Sequence, residues 1–287
     1  MPARSFAVLC LLLATTPGAA AQDVRMPEGA AAQDVGTPAD AERDDAGRTA
    51  FDRKVEAALR EGDVVAREPI PVGITHPDLL TLRTGDVQIR AIFKTIDAET
   101  RGLSRCNVVE THFTDRYAYE AAAYRLDRLF RIDLVPPTIL REIDGKRGSV
   151  QYWIEDATTI GQAIVDGRAT KSVERFRRNK ISMNVLDALI HNIDRRPLNI
   201  LVTFGDDGFF LVDHSRAFRD EKTLPPFLLD WDGELEARVA ARLRGATDEE
   251  IRAALAGLVT DRQIKAVAAR RKLLLRKLAE LKLLPAD

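Results

Sequence analysis

Apolar residues recur with two different periods along the chain. In the first half, β-branched and aromatic runs between turn residues predict two β-hairpins, at 79–96 and 138–154. Amphipathic helices are indicated by the apolar spacing at 49–60 and 115–132. The polar stretch 97–114 between them is expected to be a loop. From 172 onward the pattern is mainly helical and is interrupted by one short hairpin.

This order predicts an α+β fold in two lobes. The first lobe, 48–156, is rich in β-strands and carries one long helix. The second lobe, 157–287, is mostly helical and holds a β-hairpin close to the polar residues described below. Its tail is expected to form helices, at 232–244, 248–258 and 261–283.

The N-terminal residues are predicted to lie outside both lobes. Residues 1–21 contain Arg4, an unbroken apolar run and three alanines, which indicates a signal peptide cleaved after Ala21. The apolar run is too short for a membrane span. Residues 22–47 contain AAAQDV for the second time and are expected to form a low-complexity linker, with cleavage after Ala32 as an alternative. We therefore expect a secreted or periplasmic protein without an integral membrane segment in the mature chain.

Charge and cysteine content narrow the class of protein. The net charge is −1 and both signs are interspersed, which argues against nucleic acid as a partner. The basic run Arg270-Arg271-Lys272 is expected to lie on a solvated helix face. After removal of Cys10, Cys106 would be the one remaining cysteine, as a free thiol or an intermolecular link. The sequence contains no CxxC pair and no His/Cys cluster, so a structural zinc site is not expected.

Three residues with metal or proton chemistry flank the central hairpin: Asp194, Asn199 and Asp213. An Asp, an Asn five residues later and an Asp beyond a hairpin are typical of a phosphoryl-transfer site. Such a site needs one carboxylate to orient the acceptor hydroxyl and two oxygen ligands for divalent metal. Alternatively, Asp194 and Asp213 are solvated loop carboxylates, as most aspartates are.

The turn of this hairpin determines whether Asn199 and Asp213 converge. A three-residue loop, 206–208, with Gly208 in the left-handed conformation would place Leu201 opposite Asp213. Asn199 would then lie on the same face as Asp213, at the open end of the hairpin. A two-residue loop would place the two side chains on opposite faces.

Lys94 adds a cation to this set. It lies within the apolar strand segment 91–95, where a lysine cannot be buried without a partner. Glu120 is its natural partner, because it lies at the edge of the apolar helix face, where the small side chains of alanines 121–123 let the helix approach closely. The alternative is that Lys94 extends from an edge strand into water.

These residues together resemble a known family. The stretches that carry the resemblance are Ala91-Ile92-Phe93-Lys94, residues 119–129 with Val135-Pro136-Pro137-Thr138, Asn192-Ile193-Asp194-Arg195-Arg196, residues 204–209 and Asp213. They resemble an atypical protein-kinase-like fold, most similar to the secretory-pathway kinases of the Golgi casein kinase family. A more distant similarity is to phosphoinositide 3- and 4-kinases. The resemblance covers about 90–218.

The resemblance implies a role for each candidate residue. Lys94 matches the phosphate-binding lysine and Glu120 its helix partner. Asp194 matches the catalytic aspartate, while Asn199 and Asp213 match the residues that bind Mg²⁺ or Mn²⁺ with ATP.

The implied function is an exported kinase that transfers the γ-phosphoryl group of ATP to a hydroxyl of a protein, glycan or small molecule. The alternative is an exported pseudokinase that acts as a binding or scaffolding module. Two departures from the family pattern bear on this choice. Gly85 is the single glycine of the first hairpin turn, and the segment Asp213-His214-Ser215 lacks the glycine that usually follows the metal ligand.

Overall fold

The fold is that of a computed structural model, which describes residues 43–44, 47–70, 77–105, 108–226 and 233–285. All of them belong to one compact unit. The predicted signal peptide 1–21, most of the predicted linker and Cys106 lie outside the described residues. Within the described ranges, none of the helices has the length and apolar character that a membrane span requires.

An antiparallel sheet dominates the first half of the chain. The elements in order are α1 (Ala50–Glu61), β1 (Asp63–Pro69), β2 (Asp78–Thr84), β3 (Val87–Lys94), β4 (Asp97–Arg105), β5 (Val108–Arg116), α2 (Tyr117–Leu129), β6 (Thr138–Ile143) and β7 (Lys146–Tyr152). The sheet has the order β1-β2-β3-β7-β6, and β4 pairs with β5 in a separate ribbon.

Turn chemistry explains why both predicted hairpins are confirmed. The β2–β3 turn consists of Gly85 and Asp86, and Gly85 has a positive φ. The β6–β7 turn consists of Asp144 and Gly145, both with positive φ, as a type I′ turn requires. This turn has two residues, so β7 begins at Lys146, three residues earlier than the predicted strand at 149.

The predicted loop at 97–114 is wrong, because β4 and β5 form a hairpin there. β4 reads DAETRGLSR and has no alternation of apolar and polar residues. Its strand conformation therefore follows from hydrogen bonding to β5 and leaves no periodic signal in the sequence. Strand β1 carries mostly exposed side chains and was missed for a similar reason.

The second half is helical around a small sheet. Its elements are β8 (Thr158–Thr159), α3 (Ile160–Val165), α4 (Val173–Ile190), a 3₁₀ turn (Pro197–Asn199), β9 (Ile200–Val202), β10 (Phe209–Leu211), α5 (Ala237–Gly245), α6 (Asp248–Leu255) and α7 (Asp261–Glu280). The sheet order is β10-β9-β8. Thr247 and Thr260 begin α6 and α7 with capping boxes. The predicted α+β architecture is thus confirmed.

Two apolar cores lie within this unit. The smaller lies between α1 and the five-stranded sheet, around Leu59, Leu80 and Phe93. The larger joins α2 to α4, α5, α6 and α7, so Tyr119 and Leu126 of α2 pack with the helices of the second half.

Arg270 and Arg271 on α7 are buried, which makes the predicted solvated face wrong for these two residues. Arg270 donates from Nε to the Leu189 carbonyl (2.8 Å) and from Nη1 to the Arg219 carbonyl (3.0 Å). Its guanidinium thus binds one carbonyl at the end of α4, which lacks a helical partner, and one carbonyl of the loop that contains Arg219. Burial lowers the pKa of Arg270 to about 10, so the side chain remains a cation at neutral pH.

The described chain is anchored before the first helix. Arg43 forms two hydrogen bonds, of 3.0 and 2.8 Å, with the carboxylate of Asp133. Gly47 has φ +79°, and a Cβ there would overlap the Arg128 carbonyl oxygen. Residues 43, 44 and 47 therefore pack on the fold, although the sequence assigned them to the linker.

Candidate functional site

The hairpin that carries Asp213 differs from its predicted form. The paired residues are Phe209 with Val202, Phe210 with Leu201, and Leu211 with Ile200. The predicted pairing of Leu201 with Asp213 is therefore wrong. The loop between the strands has six residues, 203–208, instead of three.

Side-chain hydrogen bonds within this loop explain the difference. The Thr203 hydroxyl accepts a hydrogen bond from the Gly208 N–H (2.9 Å) and also bonds to the Asp206 carboxylate. Asp207, and not Gly208, has the positive φ, of 55°. Thr and Asp side chains thus replace part of the backbone ladder that the simpler turn would have extended.

Arg195 brings the ends of β9 and β10 together. Its Nη1 donates to the carbonyls of Asn199 (2.8 Å) and Val212 (2.9 Å). Its Nε and Nη2 donate to the buried Asp187 carboxylate, both at 2.9 Å. The Val212 N–H also donates to the Asn199 carbonyl (3.1 Å). Asn199 and Asp213 therefore lie at the same end of the hairpin despite the changed register.

Asp194 lies in the loop after α4 and is held on all sides. Its N–H donates to Asn192 Oδ1 (3.1 Å), and its carbonyl accepts from Asn199 Nδ2 (3.0 Å). Arg196 Nε lies 2.7 Å from Asp194 Oδ1, and Arg216 Nη1 lies 3.3 Å from Asp194 Oδ2. Two cations therefore contact this carboxylate, the partly buried Arg216 and the exposed Arg196.

The predicted ion pair between Lys94 and Glu120 is present. Lys94 Nζ lies 2.6 Å from Glu120 Oε1 and 2.9 Å from Asp213 Oδ1. Burial opposes the charged form of Lys94, but the two carboxylates outweigh it and raise the lysine pKa. Burial likewise opposes ionisation of Glu120, but Lys94 outweighs it and lowers the glutamate pKa. Both groups are therefore charged at neutral pH.

His214 connects Glu120 to the loop after β10. Its backbone N–H donates to Glu120 Oε2 (2.9 Å), and its Nδ1 lies 3.3 Å from the same oxygen. The imidazole is fully buried, and burial lowers its pKa, so it is neutral at pH 7. A neutral ring beside a carboxylate carries its proton on the facing nitrogen, here Nδ1.

Asp115 is a site residue that the sequence analysis missed. It is the last but one residue of β5 and interacts with Ser215 and, electrostatically, with Asp213 and Lys94. Burial raises the pKa of Asp115, and the charge of Asp213 raises it further. The sequence signal was weak, because an aspartate at the predicted start of a helix is ordinarily explained by the helix dipole.

The donor set suits a cation that is also bound by phosphate. Among the described residues, no group of three or more His, Cys, Asp or Glu side chains is arranged to hold a metal by itself. Asp213 is half-exposed, and Asn199 uses Nδ2 for the Asp194 carbonyl, which leaves Oδ1 as a possible ligand. Mg²⁺ typically takes one or two carboxylates from the protein and the remaining oxygens from phosphates and water.

Comparison with known proteins gives matches in structure. No protein-family model and no curated protein matches this sequence. The crystal structure of the Golgi casein kinase matches with a TM-score of 0.59 and 14% identity, over 83% of this chain and 76% of that chain. The same kinase with Mn/ADP bound gives a TM-score of 0.58 and 14% identity, over 80% and 76%.

A third match is the structure of hydra Fam20 with sugar, with a TM-score of 0.58 and 13% identity, over 82% of this chain and 92% of that chain. At this level of identity the likeness concerns the fold. The protein therefore has the kinase-like fold of the Golgi casein kinase and Fam20 structures, as its sequence predicted.

Proposed function

We propose that the protein is a metal-dependent kinase that transfers the γ-phosphoryl group of ATP to a hydroxyl. The observation that carries the proposal is the position of Lys94 between Glu120 and Asp213. Lys94 and Asp213 are 119 residues apart in the sequence. A largely buried lysine with two carboxylates is costly to assemble, and hydrophobic residues would stabilise a fold more simply. Its assembly is understandable if the cation binds phosphate.

In this proposal Lys94 binds the ATP phosphates, and Glu120 holds the lysine in place. Asp213 and Asn199 Oδ1 bind Mg²⁺ or Mn²⁺, which neutralises the charge of the triphosphate. Asp115 is a further candidate ligand, since it lies close to Asp213. The structure of a similar fold with Mn/ADP bound supports the choice of cofactors.

Asp194 is proposed to orient the acceptor hydroxyl. Arg196 and Arg216 hold both of its oxygens, so its position is set before any substrate binds. Catalysis of phosphoryl transfer depends mainly on positioning and electrostatic stabilisation, which a fixed carboxylate can provide.

The acceptor is proposed to be a hydroxyl of a protein, a glycan or a small molecule. The predicted signal peptide and the Golgi location in the name of one similar structure support an exported protein.

A non-catalytic binding module is the second candidate. The observation that favours it is the β2–β3 turn, which has two residues, Gly85 and Asp86, and one glycine. This turn lies at the end of β3 opposite to Lys94, roughly 20 Å away, so its backbone N–H groups do not reach phosphates bound by that lysine. The pseudokinase candidate predicts nucleotide binding without transfer, or no nucleotide binding.

Thermal unfolding with nucleotide and metal tests the proposal. ATP is expected to stabilise the protein in Mg²⁺ or Mn²⁺ and to have little effect in EDTA. At 100 times the dissociation constant, the ligand adds about 2.7 kcal/mol to the free energy of unfolding. Equal stabilisation by ATP in EDTA and in metal would refute the metal site. Transfer of labelled γ-phosphate, to protein or to water, then separates a kinase from a pseudokinase.

A further inference from the structure

A large cavity, separate from the candidate site, lies where α2 meets α1, β6 and α6. Its volume is about 1130 Å³, and none of the residues proposed to act in catalysis lines it. Small-molecule sites in proteins have volumes of about 300–1,000 Å³, so this cavity has room for a ligand of metabolite size.

Positive charge is in excess on its walls. Eight arginines and three carboxylates line the cavity. The carboxylates are already engaged, since Arg48 pairs with Asp44 (2.9 Å) and Glu56 (3.0 Å), and Arg242 pairs with Glu250 (2.9 Å). They are therefore not free to neutralise the remaining arginines.

Three of these arginines have no carboxylate within 4 Å in the described part of the chain: Arg125, Arg131 and Arg147. Arg125 makes one weak hydrogen bond, of 3.4 Å, to the Ala254 carbonyl. Each of the three is exposed to solvent, so a ligand entering the cavity could reach it. A guanidinium presents five N–H donors, and most of those on these three arginines form no hydrogen bond with another described residue.

The local electrostatics at Arg125 also favour an anion. Desolvation by the cavity wall lowers its pKa, and the neighbouring charges of Arg48 and Arg60 lower it further, against an opposing effect of Glu56. Arg128, which is nine-tenths buried in the same wall, has an Nε without a hydrogen-bond partner in the described residues. The charge of Arg128 is neutralised by Asp52 and Asp127. Arg125, by contrast, is a partly desolvated cation without a carboxylate partner among the described residues, which an anionic ligand would stabilise.

We propose that this cavity binds a small polyanion whose phosphate or sulfate groups pair with Arg125, Arg131 and Arg147. Planar guanidinium groups form bidentate hydrogen bonds with such groups, which gives both affinity and geometric selectivity. A molecule with several anionic groups fits better than a single phosphate ion, because three separate arginines in one large cavity are available to it.

The site would also couple to the candidate active site. Arg125 and Glu120 are on the same helix, α2, so a ligand held by Arg125 restrains the helix that positions Lys94. This coupling rests on the proposed function, whereas binding of the polyanion does not.

Isothermal titration calorimetry tests the binding, with tripolyphosphate and sucrose octasulfate as probes. The experiment is run in EDTA, without ATP, at an ionic strength held constant with NaCl. The double variant Arg125→Gln/Arg147→Gln removes two of the arginines. Its control, Arg177→Gln/Arg178→Gln, removes the same charge from exposed positions on α4 that do not line the cavity.

We expect one or both probes to bind wild type and control alike. The double variant is expected to bind about 100-fold more weakly, at about tenfold for each arginine. The single variants Arg125→Gln and Arg147→Gln, each expected to lose about tenfold, serve if the double variant does not fold. Tighter binding of tripolyphosphate would indicate a phosphorylated ligand, and tighter binding of sucrose octasulfate would indicate a sulfated one.

Three results would overturn the proposal. The first is that neither probe binds. The second is an equal loss in the control variant, which would indicate diffuse charge attraction. The third is a loss of binding in Lys94→Met, which would place the probe in the candidate active site. Because ATP and divalent metal are absent, failure of this proposal is distinguishable from failure of the proposed kinase activity.

Discussion

Lys94→Met is predicted to destabilise the protein more than Glu120→Gln does. After the first change, Glu120 stays 1% exposed without its cation and keeps the His214 N–H as a donor. After the second change, Lys94 retains Asp213 at 2.9 Å. The two substitutions therefore leave different charges, and only the carboxylate is left without an opposite charge.

The magnitude follows from this asymmetry. Removing one partner of a buried ion pair costs roughly 3–5 kcal/mol. The lower end applies to Lys94→Met, about 3 kcal/mol, because the His214 N–H still compensates the carboxylate in part. For Glu120→Gln we expect about 2 kcal/mol, since the lysine side chain is 17% exposed and keeps one carboxylate. The double variant should cost about 3 kcal/mol, which gives a coupling energy of about 2 kcal/mol.

Urea unfolding at pH 7 in EDTA without nucleotide measures these differences. Lys94→Met should also lower the melting temperature by roughly 6–12 °C, for a domain of this size. The matched control is the ion pair of Arg90 with Glu155, whose side chains are 42% and 48% exposed. The corresponding cycle for this pair should give a coupling energy below about 1 kcal/mol.

The reasoning is refuted if the stability losses of Lys94→Met and Glu120→Gln sum to the loss of the double variant within about 0.5 kcal/mol. A larger loss in Glu120→Gln than in Lys94→Met would show that Asp213 does not compensate the lysine.

The remaining predictions concern the metal ligand, acid stability and the sheet. Asp213→Ala should abolish metal-dependent ATP binding, while Asp194→Ala should keep it and slow phosphoryl transfer by ~10²–10⁴; equal losses of affinity by calorimetry would contradict these roles. Because the pKa of Glu120 is below its ordinary value of 4.5, its ionised form stabilises the fold above that pH. Wild type should therefore lose stability as the pH falls below 4.5, and Glu120→Gln should lose less over the same range; parallel stability curves would argue against this. Gly148→Ala should destabilise by about 1–3 kcal/mol, since its Cβ would overlap a carbonyl of β3, whereas Gly205→Ala, with open space around its Cβ, should be close to neutral in denaturant unfolding.

Local chemistry was sufficient to predict much of the fold. The hairpins at Gly85 and Asp144-Gly145 follow from turn residues between β-branched runs, because few conformations join such strands. Lys94 and Glu120 were paired from sequence for a similar reason: a lysine in an apolar strand requires a carboxylate, and the following helix offered one beside small residues. In each case one strong local constraint left few alternatives.

The errors arose where side-chain hydrogen bonds, or contacts distant in sequence, decide the structure. The six-residue loop 203–208 depends on side-chain hydrogen bonds of Thr203 and Asp206, which compete with a simple turn. No local sequence pattern predicts that Arg195 binds the carbonyls at the ends of both strands. Asp115 becomes a site residue only because β5 lies beside the loop after β10, where the Arg116 N–H donates to the Ser215 carbonyl (3.0 Å).

The packing of α2 has a mechanical consequence. Although α2 precedes β6 and β7 in the chain, its apolar residues belong to the core of the helical half. Lys94, by contrast, is part of the five-stranded sheet, whose apolar residues form the smaller core. Because α2 also packs against β6 and β7 and is joined to α1 by Arg128 and Tyr124, a rotation of the sheet against the other helices would strain these contacts together with the Lys94–Glu120 ion pair. Lys94 is thus one of several links between the sheet and the helical half, since it contacts both Glu120 on α2 and Asp213 after β10. An opening motion would have to lengthen both of these contacts.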